Sequence, residues 1–477
     1  MLVFRVIIPI FGGGNPIGTI SLPDCKPDRR SRVSSLLPTS TGPLQGTLRV
    51  PGDKSISHRA ALFGLIAGAP CRATNWLDAA DTRCSLAAVR DLGCAAEFGD
   101  STLQVAPGPW PKALAGGGKP RTLDCGNSGT TARLLLGLLA ARLPQGGPGV
   151  LLTGDVSLRG RPMGRVIDPL RAMGADIQHM ATEGRLPVLL RGADLQGIVH
   201  RMKVPSAQAK SALLLAGLQA SGRTEVHGGG SSRDHTERLL RTMGVELEDL
   251  PQGGVAVTGG QNVGGFDIAV PGDPSSAAFF WTAAAMLPGS SVTVTGCGLN
   301  EGRVGALRVL RRAGVQVTID RARGPREGEM LGDVTVAYGT PQPFTIDAVE
   351  MPTLVDEIPV LAVLATSLPG QSVITGAAEL RLKESDRLAL VAANLQRLGA
   401  QVEEQAEGLV ISGPVRLKGG TKSAPLVLET GGDHRLAMAL AIAALGAEGR
   451  CALDAPGCVD VSYPDFFTAL DGLLAGD

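Results

Sequence analysis

Short polar clusters occur six times along this 477-residue chain, each directly before a segment rich in alanine and leucine. They are Lys54-Ser55-Ile56-Ser57, Asn127-Ser128-Gly129-Thr130, Ser206-Ala207-Gln208, Asp273-Pro274-Ser275-Ser276, Leu354-Val355-Asp356 and Gly432-Asp433-His434-Arg435. A helix that is apolar all round is buried, so its first N–H groups and the positive end of its dipole need a polar or anionic partner. Ordinary N-caps explain any single cluster. Six in register, with Lys54, Arg59 and Arg435 nearby, predict a site for strongly anionic substrates.

The helices behind these clusters belong to a repeat. An amphipathic helix pattern that ends in glycine is followed by a strand pattern, as at Val315-Gln316-Val317-Thr318. The glycines are Gly93, Gly174, Gly244, Gly314 and Gly399, spaced by 70 to 85 residues, and Leu470-Asp471-Gly472-Leu473 resembles a sixth, truncated copy. Glycine suits the left-handed position just past a helix C-terminus. The sequence therefore predicts six units, each with a buried helix, an exposed helix and several strands.

A longer repeat divides the chain into two parts. Val50-Pro51-Gly52-Asp53-Lys54-Ser55 recurs three units later as Val270-Pro271-Gly272-Asp273-Pro274-Ser275. Pro-Gly-Asp before a helix is typical of a turn followed by an N-cap. Two copies at this spacing predict that the chain crosses twice between two three-unit domains. Residues 1–40 have no place in this scheme and are expected to form a disordered extension.

The composition excludes several classes of function. Lysine and arginine together number 45, as do aspartate and glutamate, and this zero net charge argues against a general binder of nucleic acid or acidic membranes. No apolar run approaches the ~18 residues that a membrane span requires. The eight cysteines and six histidines are scattered, with no Cys-x-x-Cys pair, which argues against a zinc site and for a reduced, cytoplasmic compartment. A nucleotide-binding phosphate loop is also absent from the sequence, because Lys119 is followed by Pro120.

A set of motifs occurs together in one order. They are Lys54-Ser55-x-Ser57-x-Arg59, Gly126-Asn127-Ser128-Gly129-Thr130, Arg161-Pro162-Met163-Gly164, Ser206-Ala207-Gln208, Lys383-Glu384-Ser385-Asp386-Arg387 and Asp433-His434-Arg435. The segment 381–387 carries five charges in seven residues and would by itself be typical of a solvated helix face. Together the motifs resemble the 5-enolpyruvylshikimate-3-phosphate synthase family over residues 41–470. Segments 161–165 and 233–237 resemble the glyphosate-tolerant bacterial branch of that family.

The resemblance implies a fold and a reaction. The fold would be α/β, a two-domain inside-out α/β barrel of the enolpyruvyl transferase type with three βαβαββ units in each domain. One domain would be residues 54–271 and the other residues 41–53 plus 272–477, with the Pro-Gly-Asp segments as hinges and the helix N-termini converging on the cleft. The reaction would transfer the enolpyruvyl group of phosphoenolpyruvate to the 5-hydroxyl of shikimate 3-phosphate, releasing phosphate, in chorismate and aromatic amino-acid biosynthesis. It would need no metal, organic cofactor, nucleic acid or membrane, and the protein would be a monomer.

The resemblance also implies which residues form the site. Those expected to hold shikimate 3-phosphate are Lys54, Ser55, Arg59, Ser206, Ala207, Gln208, Asp356 and Lys383. Those expected to hold phosphoenolpyruvate are Lys54, Gly129, Arg161, Gln208, Arg387 and Arg435, since arginine binds phosphate or carboxylate through a planar fork. Asp356 would remove the hydroxyl proton and also grip the substrate diol. Glu384 would deliver a proton to the methylene carbon, and the sequence leaves open how this task is divided between Glu384 and Lys54.

The sequence departs from the family pattern at three places. Ala207 replaces a serine of many members, so any contact there comes from its backbone. Residues 461–464 lack a lysine that many members have, which removes one cation from the phosphoenolpyruvate site. Gly129 stands where the tolerant branch has an alanine whose methyl group intrudes on glyphosate, an anion that occupies the phosphoenolpyruvate site in this family.

Two other functions remain open at this point. The related enolpyruvyl transferase acting on UDP-N-acetylglucosamine usually has a reactive cysteine before its Arg-Pro, and the loop 154–160 has none. A binding scaffold that has lost its chemistry would be expected to lack acid–base residues. Lys54, Asp356 and Glu384 are all present.

Overall fold

The structure is a computed structural model that describes residues 36–39, 42–108, 118–230, 232–324 and 328–475. Most of the expected extension, residues 1–35 and 40, lies outside the described residues. Leu36 forms a bridge to Ala452, and the Leu37 N–H donates to the Cys451 carbonyl oxygen at 2.9 Å. Leu37 is buried. The packed part of the chain therefore begins before residue 41, which is where the sequence repeat predicted the start of the domain.

Within the described ranges, six helices begin inside or at most two residues after the six predicted polar clusters, and the other helices lie between or after them. In chain order they are α1 (Lys54–Phe63), α2 (Ala80–Asp91), α3 (Gly129–Ala140), α4 (Val156–Gly160), α5 (Gly164–Ala172), α6 (Ala207–Gly217), α7 (His235–Thr242), α8 (Pro274–Met286), α9 (Gly305–Arg312), α10 (Ile358–Ala365), α11 (Arg387–Arg397), α12 (His434–Leu445) and α13 (Phe466–Ala475).

The strands are short and occur mostly in pairs between the helices. They are β1 (Gln45–Leu48), β2 (Cys71–Thr74), β3 (Ala96–Gly99), β4 (Thr102–Val105), β5 (Arg121–Asp124), β6 (Val150–Thr153), β7 (Asp176–His179), β8 (Val188–Arg191), β9 (Val199–Arg201), β10 (Arg223–His227), β11 (Leu247–Leu250), β12 (Gly254–Thr258), β13 (Phe266–Ala269), β14 (Ser291–Gly298), β15 (Gln316–Arg323), β16 (Leu331–Ala337), β17 (Thr345–Ile346), β18 (Gly370–Ile374), β19 (Gln401–Gln405), β20 (Gly408–Gly413), β21 (Leu426–Leu428) and β22 (Cys451–Leu453).

Each unit places a buried helix between two parallel strands and follows it with an outer helix and an antiparallel pair. Around α3, for example, β5 and β6 are parallel, and β8 and β7 complete a sheet of order β5-β6-β8-β7. The same order recurs in β13-β2-β4-β3, β9-β10-β12-β11, β1-β14-β16-β15 and β17-β18-β20-β19. Around α12 the described sheet has only β21 and β22. The predicted βαβαββ unit is confirmed, with a shortened last copy.

The two Pro-Gly-Asp segments run beside each other and exchange strands between units. The Asp53 N–H donates to the Pro271 carbonyl oxygen at 2.8 Å, and the Asp273 N–H donates to that of Pro51 at 2.9 Å. As a result β1 pairs with β14, and β13 pairs with β2. A Cβ on Gly52 would lie 1.9 Å from a backbone carbonyl oxygen, so this close approach requires glycine.

Buried apolar side chains form two clusters with helices at their centres. The α1 cluster draws on residues 56–270 and packs α3 against α1 and α6. The α8 cluster draws on residues 37–50 and 277–473 and packs α8, α10 and α12 together. Every residue of α12 is buried, whereas β16 alternates between buried and half-buried residues, so the sheets cover the helices. The residue boundaries of the two domains stay a prediction.

None of the helices within the described ranges has both the length and the apolar character needed to cross a membrane.

Candidate active site

The N-terminal ends of the buried helices lie together and are joined by hydrogen bonds. In the first turns of α6 and α3, the Gln208 amide donates to Thr130 Oγ1 at 2.8 Å. The Lys54 N–H at the start of α1 donates at 3.1 Å to Asp273, the N-cap of α8. The Ser275 hydroxyl at the start of α8 donates to the N-cap residue of α10. These contacts link the predicted polar clusters in two sets, α3 with α6 and α1 with α8 and α10.

Most of these helices also have ordinary N-caps. The side chains that accept from an N–H of their own first turn are those of Asp53, Ser128, Ser206, Asp273 and Asp433. The conventional explanation of the clusters therefore holds alongside the functional one. Since several first-turn N–H groups are already bonded, cationic side chains must supply much of the attraction for a bound anion.

Arg387, the first residue of α11, connects three acidic side chains. Its Nε lies 2.8 Å from Asp433 Oδ2, its Nη2 lies 2.7 Å from Glu384 Oε2, and its Nη1 lies 3.3 Å from Asp356 Oδ1. Its side chain is only 2% exposed. The segment 381–387 is thus not simply a solvated helix face, although Arg381 does pair with acidic residues near the surface.

Asp356 lies just before α10 among several cations. Arg233 lies just before α7, and its Nη2 is 2.6 Å from Asp356 Oδ2. Burial opposes ionisation of the Asp356 carboxyl, but Arg233, Arg435, Lys383 and Arg387 outweigh burial and hold its pKa well below the usual range. The group is therefore a carboxylate at neutral pH, which is the state that a general base requires.

Glu384 is the second carboxylate of the site. Besides Arg387, Glu384 contacts Arg161, which directly follows α4. Arg161 Nη1 lies 3.4 Å from Glu384 Oε1. Burial opposes its ionisation, but Arg387, Arg161 and Lys54 outweigh burial and hold the pKa of Glu384 well below its usual range. In this state Glu384 carries no proton. It can deliver one only after a substrate anion has offset the surrounding positive charge.

The first turns of α1 carry three of the predicted residues. Lys54 Nζ pairs with Asp81 Oδ2 at 3.0 Å. Arg59 is buried and donates to the Ser55 carbonyl oxygen at 2.9 Å and to the hydroxyl groups of two neighbouring side chains. These bonds use three of the five guanidinium N–H groups and leave two for a substrate. Burial lowers the pKa of Arg59 to about 10, so it is charged at neutral pH.

Gly129 begins α3 beneath two guanidinium groups. A Cβ at this position would lie 3.0 Å from Arg133 Nη1 and 3.4 Å from Arg161 Nη1. Arg133 also donates to the side-chain oxygen of Gln208. Gly129, Arg161 and Gln208, which are expected to hold phosphoenolpyruvate, therefore lie close together. Arg133 lies among them, and sequence analysis missed it. Its signal is its position one helical turn after Gly129, on the same face of α3.

The other predicted residues occupy the edges of this arrangement. Arg435 lies in the first turn of α12 and acts on Asp356 through its charge. Lys383 Nζ lies 3.6 Å from Glu379. The N-cap Ser206 and then Ala207 begin α6, next to Gln208.

The C-terminal departure from the family pattern has a structural explanation. Tyr463 stands in an aromatic group, with its ring centroid 6.1 Å from that of Phe280 and 5.8 Å from that of Phe466. Tyr463 is only 3% exposed. This segment therefore packs into the α8 cluster and supplies no cation.

Sequence analysis also missed two charged partners of the site. It quoted Arg233 only within the segment 233–237 and gave it no role, yet Arg233 binds Asp356. It did not mention Asp81, which binds Lys54. Nothing in its local sequence distinguishes Asp81 from other acidic residues at the start of a helix, because its partner lies on another element.

Comparison with known proteins agrees with this geometry. The profile of the family described as EPSP synthase (3-phosphoshikimate 1-carboxyvinyltransferase) matches residues 38–470. A protein of Shouchella clausii (strain KSM-K16) named 3-phosphoshikimate 1-carboxyvinyltransferase is 43% identical over 439 residues, which are 92% of this chain and 98% of that protein. A protein of the same name from Anaeromyxobacter sp. (strain K) is 46% identical over 432 residues, 90% of this chain and 94% of that protein.

A solved structure extends the agreement to the fold. The EPSP synthase of Acinetobacter baumannii, solved at 2.37 Å, has a TM-score of 0.79 and 34% identity, covering 92% of this chain and 97% of that chain. The predicted two-domain α/β fold class is confirmed. The chain belongs to the EPSP synthase (3-phosphoshikimate 1-carboxyvinyltransferase) family.

Proposed function

We propose that the protein transfers the enolpyruvyl group of phosphoenolpyruvate to the 5-hydroxyl of shikimate 3-phosphate and releases phosphate. The observation that carries the proposal is the buried Arg387 guanidinium, which binds both Asp356 and Glu384. Two candidate proton-transfer groups thus lie on either side of one cation, where the N-termini of the buried helices meet. Membership of the family supports the same reaction.

Each substrate is assigned a set of residues in this proposal. Shikimate 3-phosphate is held by Lys54, Ser55, Arg59, Ser206, Ala207, Gln208, Asp356 and Lys383. Phosphoenolpyruvate is held by Lys54, Gly129, Arg161, Gln208, Arg387 and Arg435. The cations of the second set that lie around Glu384 and Asp356 support the assignment, because a bound anion would relieve their mutual repulsion.

The chemistry requires protons to move at oxygen and at carbon. Asp356, already ionised, accepts the proton of the 5-hydroxyl as that oxygen attacks. The methylene carbon of phosphoenolpyruvate gains a proton during the addition and loses one when phosphate leaves. We assign proton donation to the carbon to Lys54 and proton acceptance from it to the carboxylate of Glu384, so that these two groups share the carbon step.

A phosphate-release assay tests the function directly. We expect phosphate release that needs both phosphoenolpyruvate and shikimate 3-phosphate. Release with UDP-N-acetylglucosamine in place of shikimate 3-phosphate would favour the related transferase instead. No release with either acceptor would favour a binding scaffold.

We expect shikimate 3-phosphate to draw the two domains together. Like-oriented helix dipoles and clustered cations repel across a ligand-free cleft, and a polyanion between them removes that repulsion. Small-angle scattering should show a smaller radius of gyration with shikimate 3-phosphate, and a smaller effect with shikimate, which lacks the phosphate. An unchanged radius of gyration at saturating ligand would contradict closure.

Arg387→Ala should mainly weaken the binding of phosphoenolpyruvate, because it removes a forked contact to an anion. It should also lower the melting temperature, because it leaves the buried Asp433 without its partner, and breaking a buried pair costs about 3–5 kcal/mol. We expect the KM for phosphoenolpyruvate to rise more than tenfold. Arg387→Lys should recover stability better than it recovers this KM.

The matched control is Arg397→Ala on the same helix. Arg397 pairs with Glu429 at 3.2 Å near the surface, so its loss should change neither quantity. If Arg387→Ala lowers turnover while the KM for phosphoenolpyruvate stays the same, the binding role is wrong.

We also propose that segments 161–165 and 233–237, which contribute Arg161 and Arg233 to the site, make the protein a member of the tolerant bacterial branch. Arg165 Nη1 lies 3.4 Å from Glu379, parallel to the contact between Arg161 and Glu384.

We further propose a cytoplasmic monomer. The described thiols of Cys71, Cys94, Cys125, Cys297, Cys451 and Cys458 are free, which suits a reducing compartment.

A further inference from the structure

Arg303, between β14 and α9, binds both Pro-Gly-Asp segments. Its Nη1 lies 3.0 Å from Asp53 Oδ2, and its Nη2 lies 2.6 Å from Asp273 Oδ1. The guanidinium is 2% exposed. Asp53 and Asp273 are the N-caps of α1 and α8, so one cation holds the first turns of two helices from different clusters in register.

The same guanidinium donates to a serine at each helix start. Ser55 and Ser275 occupy matching positions of the repeated segment, two residues after the capping aspartate. Arg303 Nη2 donates to Ser275 Oγ at 2.9 Å, and Nη1 donates to Ser55 Oγ at 3.4 Å. The Ser275 hydroxyl in turn donates to a carboxylate oxygen of Glu357. On the α8 side, a guanidinium therefore directs a serine hydrogen to a carboxyl oxygen.

We propose that Arg303 is a positioning residue, which orients the Ser55 hydroxyl to donate to an anionic oxygen of shikimate 3-phosphate. A guanidinium only donates hydrogen bonds, so Ser55 Oγ must accept from it and keeps its own hydrogen for another partner. Among the described residues, no other side chain hydrogen-bonds to this hydroxyl. The substrate anion would stand to Ser55 as Glu357 stands to Ser275. The inference rests on the proposed function, and in particular on Ser55 as a ligand of shikimate 3-phosphate.

Arginine suits this position and lysine does not. The contacts of Arg303 lie on opposite sides of a planar fork, one aspartate and one serine for each Nη atom. A lysine has a single nitrogen on a flexible stem and cannot reach both sides at once. Arg303→Lys thus keeps the charge but loses the fixed direction of the bond to Ser55.

A double-mutant cycle tests the proposal. The dissociation constant of shikimate 3-phosphate is measured by titration calorimetry for the wild type, Ser55→Ala, Arg303→Lys and the double variant. We expect each single change to weaken binding about tenfold, as for the loss of one hydrogen bond to a charged group. We expect the double variant to bind about as weakly as either single variant, because both changes remove the same interaction.

The control variant is Arg312→Lys on α9. Arg312 pairs with Glu350 at 2.7 Å near the surface, so this variant should bind shikimate 3-phosphate as the wild type does. If Arg303→Lys does not fold, the cycle is run with Arg303→Met and Asp273→Asn introduced together. This pair removes one positive and one negative charge, so the net charge of the cluster is unchanged, and asparagine remains a good N-cap residue.

Three results would overturn the inference. Additive losses in the double variant would show that Arg303 stabilises the fold without acting through Ser55. Wild-type affinity in Arg303→Lys, or in Ser55→Ala, would show that the hydroxyl is not directed to the substrate. In all three cases the wild type still binds shikimate 3-phosphate, whereas failure of the proposed function would appear as no binding by the wild type itself.

Discussion

Replacing Asp356 with alanine is expected to lower turnover by about 10²–10⁴-fold, the usual contribution of a general base. The carboxylate is surrounded by Arg233, Arg435, Lys383 and Arg387, which keep it ionised and fix its position despite burial. Removing it takes away the acceptor for the hydroxyl proton. The binding of phosphoenolpyruvate should change much less, since no contact of that substrate is assigned to Asp356.

The measurement is kcat beside the dissociation constant of phosphoenolpyruvate. Asp356→Asn should lose turnover to a similar extent, because an amide keeps the shape but cannot accept the proton in the same way. Glu350→Ala, which removes an acidic side chain that pairs with Arg312 near the surface, is the control and should keep the wild-type kcat. A pure binding defect in Asp356→Ala, with kcat unchanged, would contradict the role of a base.

The direction of the pKa shift also fixes an expectation for pH. Because the pKa of Asp356 is held well below its usual value, the group is ionised throughout the neutral range and loses its charge only in strong acid. Its contribution to stability is therefore present above the ordinary pKa of an aspartate and is lost as the pH falls toward the lowered value. A loss of kcat/KM between about pH 5 and pH 8 would have to come from another group.

The repeat made the fold largely predictable from the sequence. Helix starts are local signals, and α1, α3, α6, α8 and α12 begin within a residue or two of their polar clusters. Two starts are displaced. The cluster at 354–356 precedes α10, which begins only at Ile358, after the short turn Met351–Thr353. The charged segment around residue 381 forms the turn Ala378–Leu382, and α11 begins at Arg387. The two Pro-Gly-Asp segments predicted that the chain crosses twice. The pairing of β1 with β14 and of β13 with β2 was not predicted, because strand pairing over such distances along the chain leaves no local pattern.

The motifs predicted which charged residues lie close to one another, while the roles of these residues stay a prediction. Arg161, Asp356, Glu384 and Arg387 lie together as the motifs implied. Arg133 and Arg233 were not assigned roles, because each owes its function to a side chain on a different element. The ionisation of Glu384 could not be deduced from sequence either, since it depends on how several cations are arranged around a buried carboxyl.

Glyphosate is expected to inhibit the protein in competition with phosphoenolpyruvate, and Gly129→Ala should weaken this inhibition tenfold or more. The added methyl group would lie 3.0 Å from Arg133 Nη1 and 3.4 Å from Arg161 Nη1. Arg133 is held by Gln208 and by the Pro162 carbonyl oxygen at 3.3 Å, so its guanidinium has little freedom to withdraw. The methyl group therefore narrows the space in which an anion meets these arginines. Glyphosate, with its longer chain, should lose more from this than phosphoenolpyruvate does.

The magnitudes decide which departure from the family pattern matters more. A steric clash in a packed site costs about 1–3 kcal/mol, and about 1.4 kcal/mol is a tenfold change in affinity. The loss of one partly solvated cation, such as the lysine absent beside Tyr463, costs about 0–1 kcal/mol and affects both anions. Inhibition constants of the wild type and Gly129→Ala should be compared at equal saturation with phosphoenolpyruvate. Gly472→Ala, where an added Cβ meets nothing within 4 Å, serves as the control. Equal inhibition of the wild type and Gly129→Ala would mean that the space over Gly129 does not govern access of glyphosate to the site.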